Sequence, residues 1–309
     1  MHSNIKQLSG DIKTGSYLAL ARGISIVENE LVGYPYLLGN LRQNNNTPVI
    51  GITGPPGAGK STLVNALLQY WLLQHKKIAV IAVDPSSPFN YGALLGDRIR
   101  MNAFYTNPDI YIRSLASRGA LGGLSSKIIE ITDLVKDAMF DIVLVETVGV
   151  GQSEVEIAGL ADCTIVALVP EAGDEVQTLK AGIMEIADIF VVNKADRENA
   201  EALYHNLRIM VHEKAGEGRE IPVMKTIATT GAGICELAGA IGQYLELQHS
   251  LPEKKLQLLT QKCWQLIQAQ RMKPISQGYL QNEIALALQK NDFNLYTFAQ
   301  NFIDTVWAL

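Results

Sequence analysis

Lys60 and Ser61 close the loop in GITGPPGAGKSTLVNALL, where with Gly54 and Gly59 they fit the pattern G-x-x-x-x-G-K-[ST]. The chemistry that this pattern serves is the holding of a polyphosphate. Four glycines and two prolines crowd this stretch between an apolar strand and an apolar helix, a composition that builds a poor core but lets backbone come close to an anion. The turn Gly54, Pro55, Pro56, Gly57, Ala58, Gly59 is expected to bring backbone N–H groups around phosphate oxygens. The helix that opens with Lys60, Ser61 and Thr62 adds partial positive charge at its N-terminus. In such a loop the lysine reaches the β and γ phosphates and the Ser61 hydroxyl ligates Mg2+.

A second cluster bears on the base. FVVNKAD places Asn193, Lys194 and Asp196 at the end of an expected strand. A carboxylate there accepts hydrogen bonds from guanine N1–H and the exocyclic 2-amino group, and adenine offers neither donor. Asp196 therefore points to GTP and GDP as the bound nucleotides. The stem of Lys194 would lie over the purine, and Asn193 would tie this loop to the phosphate loop. Downstream, TIATTGAG ends a further strand, so Thr226 and the backbone N–H near Ala228 fall where the guanine oxygen would be met.

Many GTPases carry D-x-x-G after a strand; here LVETVGVGQSE has Glu146 and Gly149 at that spacing. A glutamate can still organise the magnesium water shell. Val150 stands where small signalling GTPases hold a water-orienting glutamine, and Gln152 lies close by. Asp84 and Asp97 fall in VIAVDPSSPFNYGALLGDRIRM, a turn-rich stretch suited to a nucleotide-sensing loop, with turn and helix-cap roles as the plainer alternative. Arg98, Arg100, Arg113 and Arg118 crowd the same region as candidates for a charge-stabilising finger or for ordinary surface solvation.

These residues need a scaffold that delivers them to one edge. From Thr47 onward, PVIGIT, KIAVIAVD, DIVLVE, CTIVALV, DIFVVN and PVMKTIA read as strands between helical patterns. Their near-continuous apolar character marks strands buried on both faces, so the expected fold is α/β: a mainly parallel central sheet flanked by helices. Ligands of such sheets sit beyond the strand C-termini, where each motif above falls. Residues 1–46 read as an N-terminal helical extension, 47–249 as the nucleotide-binding domain, and 250–309 as a C-terminal helical arm.

A net charge of −5, with 26 basic residues and no dense basic run, gives no footprint for nucleic acid or an anionic membrane. No stretch reads as a membrane span or an export signal. Cys163, Cys235 and Cys263 are far apart and lack C-x-x-C spacing, which fits a reducing cytoplasm.

With the motifs assembled, the chain resembles the MeaB/MMAA family, also called ArgK or LAO/AO transport system kinases. The resemblance rests on GPPGAGKST, AVDPSSPF, LLGDRIRM, IRSLASRG, GGLS, ETVGVGQSE, AGDEVQTLKAGIMEIADIFVVNKAD and RGISIVENE, over roughly residues 15 to 250. It implies a P-loop GTPase that hydrolyses GTP to GDP and phosphate with Mg2+. It also implies a homodimer built through the C-terminal arm. The implied partner is an adenosylcobalamin-dependent methylmalonyl-CoA mutase or related acyl-CoA mutase, which the protein assists in cofactor delivery and protection. The resemblance puts Lys60, Ser61, Asp84, Asp97 and Glu146 around magnesium and phosphates. It puts Asp174 to Lys180 in a third nucleotide-responsive loop, with Lys180 bridging nucleotide state and partner. The chain departs from many members at Asn90, Tyr91, Ala120 and Glu171. Competing readings are a nickel-insertion maturation GTPase, a protein kinase of an amino-acid transport system, and a nucleotide-binding scaffold without hydrolysis. The scattered His2, His75, His205, His212 and His249 speak against the first, although His205 and His212 share a helix face.

Overall fold

The computed structural model describes residues 2–42, 46–84, 101–116, 127–147, 153–171, 183–215, 221–247, 253–272, 275–289 and 293–307. The chain forms two compact units, Met1–Leu258 and Leu259–Leu309.

The first unit is built on strands β1 (Val49–Thr53), β2 (Ile78–Asp84), β3 (Ile110–Ala116), β4 (Ile142–Glu146), β5 (Cys163–Leu168), β6 (Ile189–Asn193) and β7 (Val223–Thr226). They form one sheet in the order β3-β2-β4-β1-β5-β6-β7, and every pairing is parallel. The chain runs to one side of β1 for β2 and β3, then to the other for β5 to β7. The loop after β1 therefore leaves the sheet at its topological switch point. Six strands are those expected from the sequence, and β3 is an addition. Its IYIRSLA is interrupted by Arg113 and Ser114, and as an edge strand it is only half-buried in its middle, so it lacks the continuous apolar signal of the central strands.

Alternate residues of each strand feed opposite faces. Ile50, Ile52, Ile78, Val80 and Leu144 pack with Leu63, Leu67 and Trp71 of α4 (Lys60–Leu72) and with Leu237 and Ile241 of the later helix Ile234–Leu247. Val49, Ile81, Val83, Val143 and Val145 turn the other way. There they meet α1 (His2–Lys13), α2 (Tyr17–Glu28), α3 (Tyr34–Gly39), α5 (Ile128–Lys136) and α6 (Ser153–Leu160). The N-terminal helices are thus a layer of this core. In α2 the buried residues Ala19, Leu20, Gly23, Ile24 and Val27 recur at helical spacing, and the Ser16 hydroxyl caps it by accepting from Ala19 N–H. Burying each of Leu20 and Ile24 completely contributes about 1.5–3 kcal/mol. A short α7 (Ile183–Ile186) and a long α8 (Ala200–Ala215) cover β6 and β7 through Phe190, Leu203 and Leu207. Helix α9 (Ile234–Leu247) completes the unit's layers on the first face.

At the N-terminal end of the sheet one device is repeated three times. Asp141, Asp162 and Asp188 each directly precede a strand, β4, β5 and β6. Asp141 N–H donates to Lys77 O at 2.8 Å while its carboxylate accepts from Lys77 N–H at 2.7 Å. Asp162 does the same with Val49 at 2.7 and 2.9 Å, and Asp188 with Thr164 at 2.9 and 2.8 Å.

Helix α10 (Glu253–Met272) is followed by α11 (Gln277–Ala287) and α12 (Leu295–Trp307). Within the second unit Tyr279 and Phe298 both pack against Phe302, with ring centroids 5.9 and 5.7 Å away. Trp264 and Tyr296 stay 63% and 83% exposed.

Candidate functional site

The loop after β1 is shaped by two glycines that nothing else could replace. Gly54 has φ +139°, and a Cβ on it would stand 2.0 Å from the carbonyl oxygen of Ala167 in β5. Gly59 has φ +80°, and a Cβ there would stand 2.5 Å from Asn193 Nδ2. The first lets the loop turn off the sheet beside β5; the second lets the loop touch the end of β6. Gly59 is also the N-cap of α4, so the helix N-terminus opens directly onto the loop.

Lys60 and Ser61 follow as the first residues of α4, both buried. Lys60 Nζ donates back to Gly54 O at 2.8 Å and Pro55 O at 3.1 Å, so its ammonium is held across the mouth of the loop. Ser61 Oγ donates to Glu146 Oε1 at 2.8 Å, and Glu146 is 2% exposed. That contact joins the phosphate loop to the last residue of β4, and it sets two oxygen donors of the kind Mg2+ prefers side by side. Just beyond, Thr147 N–H extends the ladder by donating to Ile52 O at 3.1 Å, and its hydroxyl donates to that of Thr53 at 2.9 Å. Both threonines are buried. Sequence reasoning passed over this pair; the available signal was a β-branched hydroxyl residue at the end of the otherwise apolar strand VIGIT.

Asn193 is the hub of the base side. It is 2% exposed; its Nδ2 donates to Ala58 O at 2.9 Å, and its Oδ1 accepts from Thr226 Oγ1 at 3.1 Å and from Ala228 N–H at 3.3 Å. One side chain thus fixes the phosphate loop, the end of β6 and the end of β7 to each other. The Ala228 N–H, expected on the guanine oxygen, here donates to Asn193. Lys194 takes a left-handed backbone with φ +55°, a strained choice for a lysine, while Ala195 N–H donates to Thr226 O at 3.1 Å. The chain thereby turns over the sheet edge and leaves Asp196 exposed. Next to it, Arg197 is ion-paired with Glu171.

The structure therefore brings Gly54, Pro55, Pro56, Gly57, Ala58, Gly59, Lys60, Ser61, Thr62, Glu146, Asn193, Lys194, Asp196, Thr226 and Ala228 to one end of the sheet. Asp84 ends β2 at that same edge, and only its backbone is described. Asp97, Gly149 and Lys180 lie outside the described residues, as do Val150, Gln152, Arg98, Arg100 and Arg118. Arg113 sits in mid-strand of β3, where its Nη2 donates to Glu28 of α2 at 2.9 Å. His205 pairs instead with Glu201 at 3.3 Å, and no group of His, Cys, Asp and Glu suited to a metal ion occurs among the described residues. Among those residues no helix is long and apolar enough to cross a membrane.

A glycine-bearing phosphate loop at the switch point of an all-parallel sheet, joined through an asparagine to an N-K-x-D turn, defines the P-loop GTPase class. Within that class the chain belongs to the family of the methylmalonyl Co-A mutase-associated GTPase MeaB, whose model matches residues 20–277. A putative GTPase of Pyrococcus abyssi is 40% identical over 302 residues, covering 94% of this chain and 89% of that protein. The mitochondrial methylmalonic aciduria type A homolog of Mus musculus is 35% identical over 228 residues, covering 71% of this chain and 55% of that one. Among solved structures, that of an LAO/AO transport system kinase superposes with a TM-score of 0.67 at 26% identity, covering 99% of this chain and 98% of that one.

Proposed function

We propose that the protein binds and slowly hydrolyses GTP with Mg2+, as a dimer working in the cytoplasm, to assist an adenosylcobalamin-dependent acyl-CoA mutase. The observation that carries the nucleotide reading is the Asn193 bridge, which sets a guanine-reading turn against the phosphate loop at one end of the sheet. Ser61 and Glu146 fit a magnesium site, since a hydroxyl and a buried carboxylate already share an edge there. Bound magnesium would neutralise charge on the β and γ phosphates. Lys60, now held on Gly54 and Pro55 carbonyls, has an ammonium available to exchange those partners for phosphate oxygens. Asp196 selects guanine. By resemblance Asp84, Asp97 and Gly149 join the magnesium and phosphate side, and Lys180 passes nucleotide state to the partner. Val150 in place of a water-orienting glutamine accounts for slow turnover, roughly 10⁻³ per second without a partner.

Support for the mutase as partner is the family match and the mouse relative's name. Support for a dimer is the apolar surface of the second unit, where Trp264 and Tyr296 stand exposed. The test measures GTP and ATP binding, then hydrolysis with and without the mutase of the same organism. Equal affinity for the two nucleotides sinks the guanine reading. Turnover that the mutase leaves unchanged removes the partner.

A further inference from the structure

Away from the nucleotide end, the helical layer leaves a solvent-open cavity of about 520 Å³ between α1, α2 and β3. Its size lies in the range of small-ligand pockets, roughly 300–1,000 Å³. Its apolar wall comes from Ile5 and Leu8 of α1 and Ile26 of α2, all of which also pack against the core beneath. Its charged wall is Arg22 of α2 and Arg113 of β3. Among the described residues that line it, none is acidic. Glu28 accepts from Nη2 of Arg113 at 2.9 Å. Arg113 Nε is buried without a hydrogen-bond partner among the described residues, and the side chain as a whole is 27% exposed, so part of its fork faces open space.

We propose that this cavity is a binding site for a small organic anion with an apolar body, of the medium-chain carboxylate class. The carboxylate sits between Arg22 and Arg113, and the hydrocarbon lies on Ile5, Leu8 and Ile26. The two walls set the class. A bare inorganic anion would leave the aliphatic wall uncovered, and an uncharged molecule would add no charge-assisted bond to the one that Arg113 makes with Glu28. A turn of the Arg113 side chain toward the head group also gives its Nε a partner that the described residues do not provide. Nothing in this site overlaps the phosphate loop, which lies four strands along in the order β3-β2-β4-β1, counting both ends.

The test is calorimetric titration of the full chain with hexanoate, with hexanamide and inorganic phosphate run in parallel. Hexanoate is expected to bind at one site per chain, with hexanamide and phosphate each at least tenfold weaker. Arg113→Met and, separately, Arg22→Gln are expected to weaken hexanoate at least fivefold while GDP affinity stays within twofold. Because Arg113→Met also removes a partner of Glu28, Arg22→Gln on the exposed helix face guards against a folding defect. Absence of saturable hexanoate binding, equal binding of hexanamide, or an unchanged Kd in Arg22→Gln and Arg113→Met overturns the proposal. The GDP measurement on the same preparations reports separately on the nucleotide site.

Discussion

Replacing Asn193 by alanine is expected to damage the fold and the nucleotide site together. The side chain makes three hydrogen bonds, to Ala58 O, Thr226 Oγ1 and Ala228 N–H, in a place 2% exposed. Thr226 is itself 1% exposed, so water cannot take over its hydroxyl. One sealed polar orphan at about 1–3 kcal/mol, with two further bonds at about 1 kcal/mol each, gives a loss of roughly 3–5 kcal/mol. For a unit of this size that corresponds to a fall in Tm of about 6–20 °C. GDP affinity should fall at least tenfold, about 1.4 kcal/mol, because the phosphate loop and the base turn lose their common anchor. Asn193→Asp sharpens the test. It keeps an oxygen for Thr226 and Ala228 but turns a second oxygen on the Ala58 carbonyl and buries a charge, so at neutral pH it should be no better than alanine. Calorimetric melting and fluorescent-GDP titration measure both effects. An alanine variant that melts within about 1 °C of the parent and binds GDP within twofold refutes the reasoning.

Asp196→Asn should weaken GTP by about 2–4 kcal/mol and raise affinity for xanthosine nucleotides, since the amide turns one acceptor into a donor; competition binding with the two nucleotides reads this directly. Thr147→Val alone should cost about 1–3 kcal/mol by orphaning the Thr53 hydroxyl, whereas Thr53→Val with Thr147→Val should come back to within about 1 kcal/mol of the parent. Urea melts of the single and double variants decide it, and simple additivity would remove the pair from the account. Burial among Tyr17 and Phe140 pushes the Tyr111 phenol up to about 12, with the Arg113 charge pulling weakly the other way. Because the folded state holds this proton more tightly than the unfolded chain at about 10, up to about 2–3 kcal/mol of stability is complete below pH 10 and fades between pH 10 and 12. Stability against pH should therefore flatten over that window in Tyr111→Phe; an unchanged slope counts against the assignment.

Much of the candidate nucleotide site is legible in the sequence because its parts are local. A phosphate loop is a run of neighbouring residues with a fixed backbone demand, so Gly54, Gly59, Lys60 and Ser61 announce themselves. What joins the parts is not local. That Asn193 would reach the phosphate loop was foreseeable from the N-K-x-D turn, but its hold on Thr226 and Ala228 depends on β7 lying beside β6, which no spacing states. The Thr53 and Thr147 pair was missed for the same reason: two ordinary threonines, 94 residues apart, meet only because β1 and β4 are neighbours. Strand β3 was missed because edge strands carry polar residues that break the apolar run. The N-terminal helices were recognisable as helices, but their place in the core beside α5 depends on close contacts such as Ile12 and Leu134 around Gly23.

The three aspartates at the foot of the sheet solve a problem that the sheet's own hydrophobicity creates. A strand that is apolar on both faces, such as IVLVE, gains almost nothing from one alignment over another, because shifting it by a residue still buries apolar side chains on either side. Alignment must then be written somewhere else. Asp141, Asp162 and Asp188 write it, each gripping a single residue in or directly before the adjoining strand with two bonds that no shifted alignment can make. A slip of one position would carry Glu146 about 3.3 Å along the sheet, farther than the 2.8 Å that now joins it to Ser61. Strands act as rigid rods of equal pitch, so an error at one end appears undiminished at the other. The accuracy of the candidate site is therefore set some five residues below it, by carboxylates at the opposite end of the sheet.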